Sequence, residues 1–337
     1  IDEARHDRVR VDGSLTLQLA AEEAKAAASS GELPDERLKL LFVCTHPAID
    51  PELHTPLMLQ TVLGLDAARI AQCFLVSPAA MGQRLVRAKA KIRDAGIGFE
   101  VPDSGELPAR LEAVLQAIYA AYGSGWDDFA GADARRRDLT GEAGWLARVL
   151  VRLMPEEPEA RGLLALMLYC ESRRAARRSA GGRYVAISDQ DVTLWSSAMI
   201  AEAERQLGAA AKEMKPGRFQ LEAAIQSLHA QRARTGRTDW QTVALLYEGL
   251  ARLAPTLGAL VGRAAAMGEA KGPEAGFRLL DDIELSSVKT YQPYWAVRAH
   301  LLQRLARDRE ATEAYDRAIG LTEDDAIRKF LLSRRRS

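Results

Sequence analysis

Apolar residues recur at three- and four-residue spacing along almost the whole of this 337-residue chain, and that regularity admits little besides helices. Alanine, leucine and arginine dominate the periodic segments, whereas runs of β-branched residues are scarce. Only residues 183–187, after Gly181-Gly182, read as a short strand or an extended loop. The fold class expected is all-α.

The length allows two or three cores. Residues 1–12 read as the end of a helix, and the chain reads as a fragment because it opens inside a charged helical pattern. Residues 13–36 read as a linker rich in alanine and glutamate, and 37–95 as a compact helical unit. Asp103 or Ser104 is expected to cap the next helix. From there a helical array is expected over 103–332, interrupted near 123–140 and 177–190.

The array carries a repeat. Residues 149–169, 247–267 and 315–332 each read as helix, break, helix, with breaks at Pro155, Pro255 and Thr322. The breaks lie 100 and 67 residues apart, three and two times a period of roughly 34 residues, the tetratricopeptide spacing. An irregular helical bundle is the alternative.

The strongest local signal is at 65–93. Asp66 can cap a first helix with Ile70 and Phe74 on its inner face, and Ala71 is small enough for a second helix to cross closely. Ser77-Pro78 restarts a helix, because serine caps and proline at the first position sacrifices no hydrogen bond. Met81, Leu85, Ala88 and Ile92 form its inner stripe. Leu75 stands in the turn where such motifs often carry glycine, and is expected to pack on the preceding helix.

Charge points the same way. The chain has 46 basic and 46 acidic residues, so nothing global draws it to nucleic acid. Between 66 and 93 there are six basic residues (Arg69, Arg84, Arg87, Lys89, Lys91, Arg93) against one acid, a local charge of +5. A helix with small residues at its N-terminal end and arginines beyond suits a major groove. A helix-turn-helix DNA reader is expected, against the plainer reading of a solvated basic helix.

The pattern Ile70-Ala71, Val76-Ser77, Met81 and residues 83–89 resembles region 4 of extracytoplasmic-function sigma factors, of the sigma-70 family. Residues 33–48 are more specific, and resemble the subgroup with a C-terminal tetratricopeptide-like extension of about two hundred residues. Residues 107–111, Ile118-Tyr119, 157–168, Asp239-Trp240 and Tyr247 resemble that extension. The resemblance implies a transcription initiation factor whose region 4 reads the promoter −35 element and contacts the β-flap of core RNA polymerase. It implies that residues 1–8 are the tail of region 2, which is otherwise missing. Carried over by position, Ala79, Ala80, Gly82 and Gln83 would lie nearest bases and Arg84 and Arg87 on phosphate or base. Arg69, Ser77 and Lys91 complete the candidate set. Gly82 stands where many relatives have a longer polar side chain. The extension is expected to regulate the factor or dock a protein or peptide partner.

Other groupings carry less. Cys44, His46, His54 and Cys73 match no zinc spacing, so no metal is expected, and His46 reads as a hydrogen-bonding group at a helix end. Three scattered cysteines point to a reduced, cytoplasmic chain. Tyr119, Tyr122, Trp126 and Phe129 read as core or as a small-ligand pocket, and Trp195, Trp240 and Trp295 as packing layers. The arginine runs at 135–137, 173–174, 177–178 and 334–336 read as solvated. No nucleophile–base pair or phosphate loop appears, so neither an enzyme nor a cofactor is expected. No run approaches the ~18 apolar residues of a membrane span. Two rivals remain: a ligand-responsive helix-turn-helix regulator, and a tetratricopeptide-type scaffold whose helix-turn-helix is only structural.

Overall fold

In the computed structural model, residues 36–94, 96, 102–103, 105–126 and 134–336 are described. Among them the chain is all-α. Among these residues the one β pairing is an isolated antiparallel bridge between Arg178 and Tyr184, so 183–186 is extended loop and not a strand, and Ile187 opens a 3-10 turn. The expectations for 1–12 and for 13–35 lie outside the described residues, as does Ser104. No described helix is long and apolar enough to cross a membrane.

The chain divides into two compact units, Ile1–Ala160 and Arg161–Ser337. The first holds α1 (Glu36–Val43), α2 (Pro51–Thr61), α3 (Ala67–Cys73), α4 (Pro78–Asp94), α5 (Leu107–Trp126) and α6 (Ala134–Leu153). Asp50 opens α2, its carboxylate accepting from the Glu52 amide at 3.0 Å with Pro51 at the first helical position. Phe42, Met58, Leu59, Ile70, Met81 and Leu85 are fully buried from the first four helices, as are Val114, Ile118, Leu146 and Leu150 from α5 and α6. Helix α5 packs on both α1 and α2. Arg37 of α1 then pairs with Glu142 at 2.7 Å and lies 4.7 Å over the Trp145 ring. Helices α5 and α6, expected to begin the array, therefore share a unit with the basic segment.

The second unit opens within α7 (Pro158–Ser172), whose residues 162–169 are all buried. A helix apolar all round belongs in an interior. Gly162 shows how tightly: a Cβ there would lie 2.7 Å from the Gln220 backbone nitrogen. After residues 173–196 come α8 (Ser197–Lys212), α9 (Arg218–Ala230), the single turn α10 (Arg232–Thr235), α11 (Trp240–Leu253), α12 (Leu257–Lys271), α13 (Pro273–Asp281), the short α14 (Leu285–Val288), α15 (Gln292–Arg304), α16 (Asp308–Leu321) and α17 (Asp325–Arg335).

From Trp240 onward the helices recur regularly. Helices α11, α13 and α16 start at Trp240, Pro273 and Asp308, in steps of 33 and 35 residues. Helices α12, α15 and α17 start at Leu257, Gln292 and Asp325, in steps of 35 and 33. The breaks anticipated at Pro155, Pro255 and Thr322 all fall between helices. Small residues set the spacing. A Cβ on Gly276 would meet the Ala264 carbonyl oxygen at 2.5 Å and the Gly268 Cα at 2.9 Å, so α12 and α13 touch backbone to backbone. Trp295 belongs to the main cluster of this region and Trp240 packs against a second, as expected of packing layers.

Candidate nucleic-acid interface

Helices α3 and α4 are joined by four residues whose geometry follows from their hydrogen bonds. Asp66 caps α3, its carboxylate accepting from the Arg69 amide at 2.9 Å. At the other end the Leu75 amide donates to the Gln72 carbonyl at 3.3 Å and the Val76 amide to the Ala71 carbonyl at 3.1 Å. That pair of bonds is the Schellman closure, which requires a left-handed residue just past the helix. Leu75 fills that place at φ +53° and is 45% exposed. It therefore adopts the glycine-like backbone itself, with nearly half of its surface exposed. Phe74 is also exposed and caps the helix, so only Ile70 and Ala71 supply its inner face.

Ser77 then starts α4, its hydroxyl accepting from the Ala80 amide at 3.2 Å. Met81, Leu85 and Ala88 are buried as expected, with Ile92 half-buried. An α-helix turns about 100° per residue. Ala79, Gln83 and Val86 therefore lie on the half of the helix away from that stripe, and all three are exposed, Val86 by 69%. Arg84, Arg87 and Lys91 run along one side of this outer face, Lys89 and Arg93 along the other, all exposed. Among the described residues, Arg84, Arg87, Lys89 and Lys91 take no ion-pair partner. The result is a narrow face of amide and aliphatic groups between two cationic margins.

Of the anticipated residues, the structure gathers Ala79, Ala80, Gly82, Gln83, Arg84, Arg87 and Lys91 on one helix. Gly82 has open space where a side chain would stand. Ser77 is committed to capping. Arg69 stands on α3 beside its cap, 3.9 Å from the Asp66 carboxylate. Val86 was missed by the sequence reading, although its helical position away from Leu85 and Ala88 was there to be counted.

The remaining groupings disperse. Cys44 is buried with its Sγ 3.5 Å from the Thr61 hydroxyl, and burial pushes its thiol pKa up. His46 Nδ1 accepts from the Ala48 amide at 3.1 Å at the end of α1. His54 Nε2 meets the Ile49 carbonyl at 3.0 Å, and Cys73 the Ser124 hydroxyl at 3.4 Å. Among the described residues no three His, Cys, Asp or Glu side chains are grouped to hold a metal. Tyr122 is buried and Tyr119 half-buried; Phe129 and the Trp126 side chain lie outside the described residues, as do the side chains of Arg135, Arg136 and Arg137.

Arg334, Arg335 and Arg336 are exposed as expected, but several arginines of these runs also hold ion pairs. Arg174 pairs with Glu171 at 2.5 Å and Arg335 with Asp316 at 2.9 Å. Arg178 is ion-paired to Asp324, Arg334 lies 3.3 Å from Asp189, and the Tyr184 ring meets Phe330 edge-on at 5.1 Å. The irregular segment 173–196 is thereby fastened to α17. Arg232 holds its middle, donating to the carbonyls of Ser188 and, at 2.8 Å, Gln190 while its guanidinium lies 5.2 Å over Trp195.

An uncharacterized protein of Rhizobium meliloti (strain 1021), R00370, is 42% identical over 287 residues, 85% of this chain and 68% of that protein. The chain belongs to the family of R00370. Residues 110–211 match the model of a family of unknown function, DUF6596. In this R00370 family member that match begins in α5, beside the basic helix pair, and ends in α8 of the second unit. No solved structure matches the chain.

Proposed function

We propose that this chain is the promoter-reading and regulatory part of an extracytoplasmic-function sigma factor. Its helix-turn-helix is α3 and α4, which read the −35 element, and its C-terminal helices form a tetratricopeptide-like module. The observation that carries the DNA-reading part is the outer face of α4. Gln83 and Val86 stand between two cationic margins on a helix about 10–12 Å across, which matches a major groove about 12 Å wide. Cations along both margins meet the phosphates of the two groove walls, while the central groups approach base edges.

The identification as a sigma factor rests on the resemblance of residues 33–48 and 70–89 to that family. Helix pairs recurring every 33–35 residues support the tetratricopeptide-like reading of the extension. Stacked helix pairs build surfaces for proteins or peptides, so the extension is proposed to dock such a partner or to regulate the factor. Neither a cofactor nor catalytic chemistry enters this reading.

Gel filtration of the chain with core RNA polymerase tests it. A sigma factor's region 4 comigrates with core through the β-flap and prefers asymmetric duplexes. A homodimer bound to a palindrome without polymerase would replace this proposal with a ligand-responsive regulator. Failure to bind either DNA or polymerase would leave a helical scaffold.

A further inference from the structure

Within the second unit, helices α13 to α16 line an open cleft of about 330 Å³, the size of a small-ligand site. Its floor is Tyr294, Trp295, Leu302 and Ala314, all buried. Ile283 and Leu285 form an apolar lip, with Leu285 49% exposed. An aromatic and aliphatic floor with an unburied aliphatic lip suits an apolar group.

The charged groups around the cleft differ in what they hold. Asp281 binds Arg298 at 2.5 Å, and Arg298 also donates to the Tyr294 hydroxyl at 3.3 Å. Glu310 takes Arg307 through two bonds of 2.7 and 2.6 Å, and Glu313 takes Arg309 at 3.3 Å. Arg317 has no such partner among the described residues. Its guanidinium carbon lies 4.4 Å from the centroid of the Trp295 ring. An aromatic ring is not a conventional hydrogen-bond acceptor, so the N–H donors of Arg317 stay available to a planar, two-oxygen acceptor.

We propose that this cleft binds a small amphipathic carboxylate. The ligand's apolar body lies against the Leu285 and Ile283 lip, and its carboxylate takes the N–H donors of Arg317. Glu310 and Glu313 lie within two turns of Arg317 on the same helix, and disfavour a dianion such as a phosphate monoester. The site is independent of any DNA binding by the first unit.

Calorimetric titration of the whole chain with 4-methylvalerate, its neutral amide and acetate tests the site. 4-Methylvalerate should bind saturably, and the amide and acetate at least tenfold more weakly. Arg317→Gln weakens 4-methylvalerate about tenfold or more, as loss of a hydrogen-bonded charge requires. Arg317→Lys keeps the charge without the fork and falls between. Arg317 is exposed, so losing its contact with the Trp295 ring should cost Arg317→Gln no more than about 1 kcal/mol without ligand, and Arg317→Lys less. Equal binding of acid and amide, unchanged binding by well-folded Arg317→Gln, or no binding of 4-methylvalerate at millimolar concentration would each overturn the proposal.

Discussion

The Val76 amide donates to the Ala71 carbonyl at 3.1 Å, and that bond obliges Leu75 to turn left-handed at φ +53°. A side chain with a Cβ in this region costs roughly 1–2 kcal/mol, and glycine removes that cost. Leu75 is 45% exposed, so the apolar burial lost with its side chain offsets much of that gain. Leu75→Gly is therefore expected to shift the stability of the first unit by less than about 1 kcal/mol, against a larger loss on burial alone had φ been negative. Leu75→Val should destabilise it, since a β-branched residue fits this conformation worse. Thermal or urea unfolding checks both.

Two glycines on different helices should respond oppositely to alanine. Gly276→Ala drives a Cβ into the Ala264 carbonyl and the Gly268 backbone, neither of which can swing aside. A loss of about 3 kcal/mol is expected, the upper range for overpacking. Gly82 meets nothing within 4 Å, so Gly82→Ala should gain up to about 1 kcal/mol from helix propensity alone. Denaturant midpoints of the two variants give the comparison.

His229 supplies a pH signature. Burial, with Arg173 and Arg232 nearby, lowers its pKa to about 4. Its unfolded value is ordinary, near 6.5. The unfolded chain thus binds the proton more readily between these values, so stability is fully present above about 6.5 and is lost as pH falls toward 4. The loss should total about 3 kcal/mol. In His229→Gln that acid limb should flatten, as melting curves between pH 4 and 7 would reveal.

Asp324 adds a second acid-sensitive contact, at the junction of segment 173–196 with α17. Burial alone would raise its carboxyl pKa, but hydrogen bonds from Arg178 and from the Ile327 and Ala326 amides outweigh this and hold it below the usual value. Its contribution is present above about pH 4 and disappears as pH falls through the lowered pKa. Asparagine still caps a helix, so Asp324→Asn isolates the ion pair. A cost of about 1–2 kcal/mol at neutral pH is expected, with faster amide exchange in segment 173–196.

On the proposed DNA-reading face, Val86 and Arg87 should separate by behaviour. Val86→Ala removes aliphatic contact of the kind that reads a thymine methyl, and should weaken the preferred duplex about fourfold without altering the salt dependence. Replacing the contacted thymine by deoxyuridine should cost the parent the same and the variant nothing. Arg87→Ala should weaken all duplexes and reduce the salt slope by about one. Fluorescence anisotropy distinguishes the two patterns.

Much of this was legible in the sequence because it is local. Asp66, Ser77-Pro78 and the stripe Met81, Leu85, Ala88 declare their helices within a few residues, and Pro155, Pro255 and Thr322 mark real breaks. Leu75 was not, because its conformation is imposed by bonds at 71 and 72 against its own preference. Phe74 looked buried by spacing, yet the helix ends one residue before it. The pairing of Arg178 with Asp324 spans 146 residues, and no periodicity connects them. The isolated arginine of the cleft was equally hidden, since Arg317 is distinguished by the Trp295 ring beneath it and by where the neighbouring carboxylates go.

The central claim is that α4 reads DNA. Its most direct test is anisotropy of the whole chain with a duplex selected from a random-sequence pool, titrated across a range of salt concentrations. Contacts from four or five cations predict a log–log slope of roughly −4, falling to roughly −2 in the Arg84→Ala, Arg87→Ala double variant. Selection of no duplex, or a slope that the double variant leaves unchanged, would contradict it.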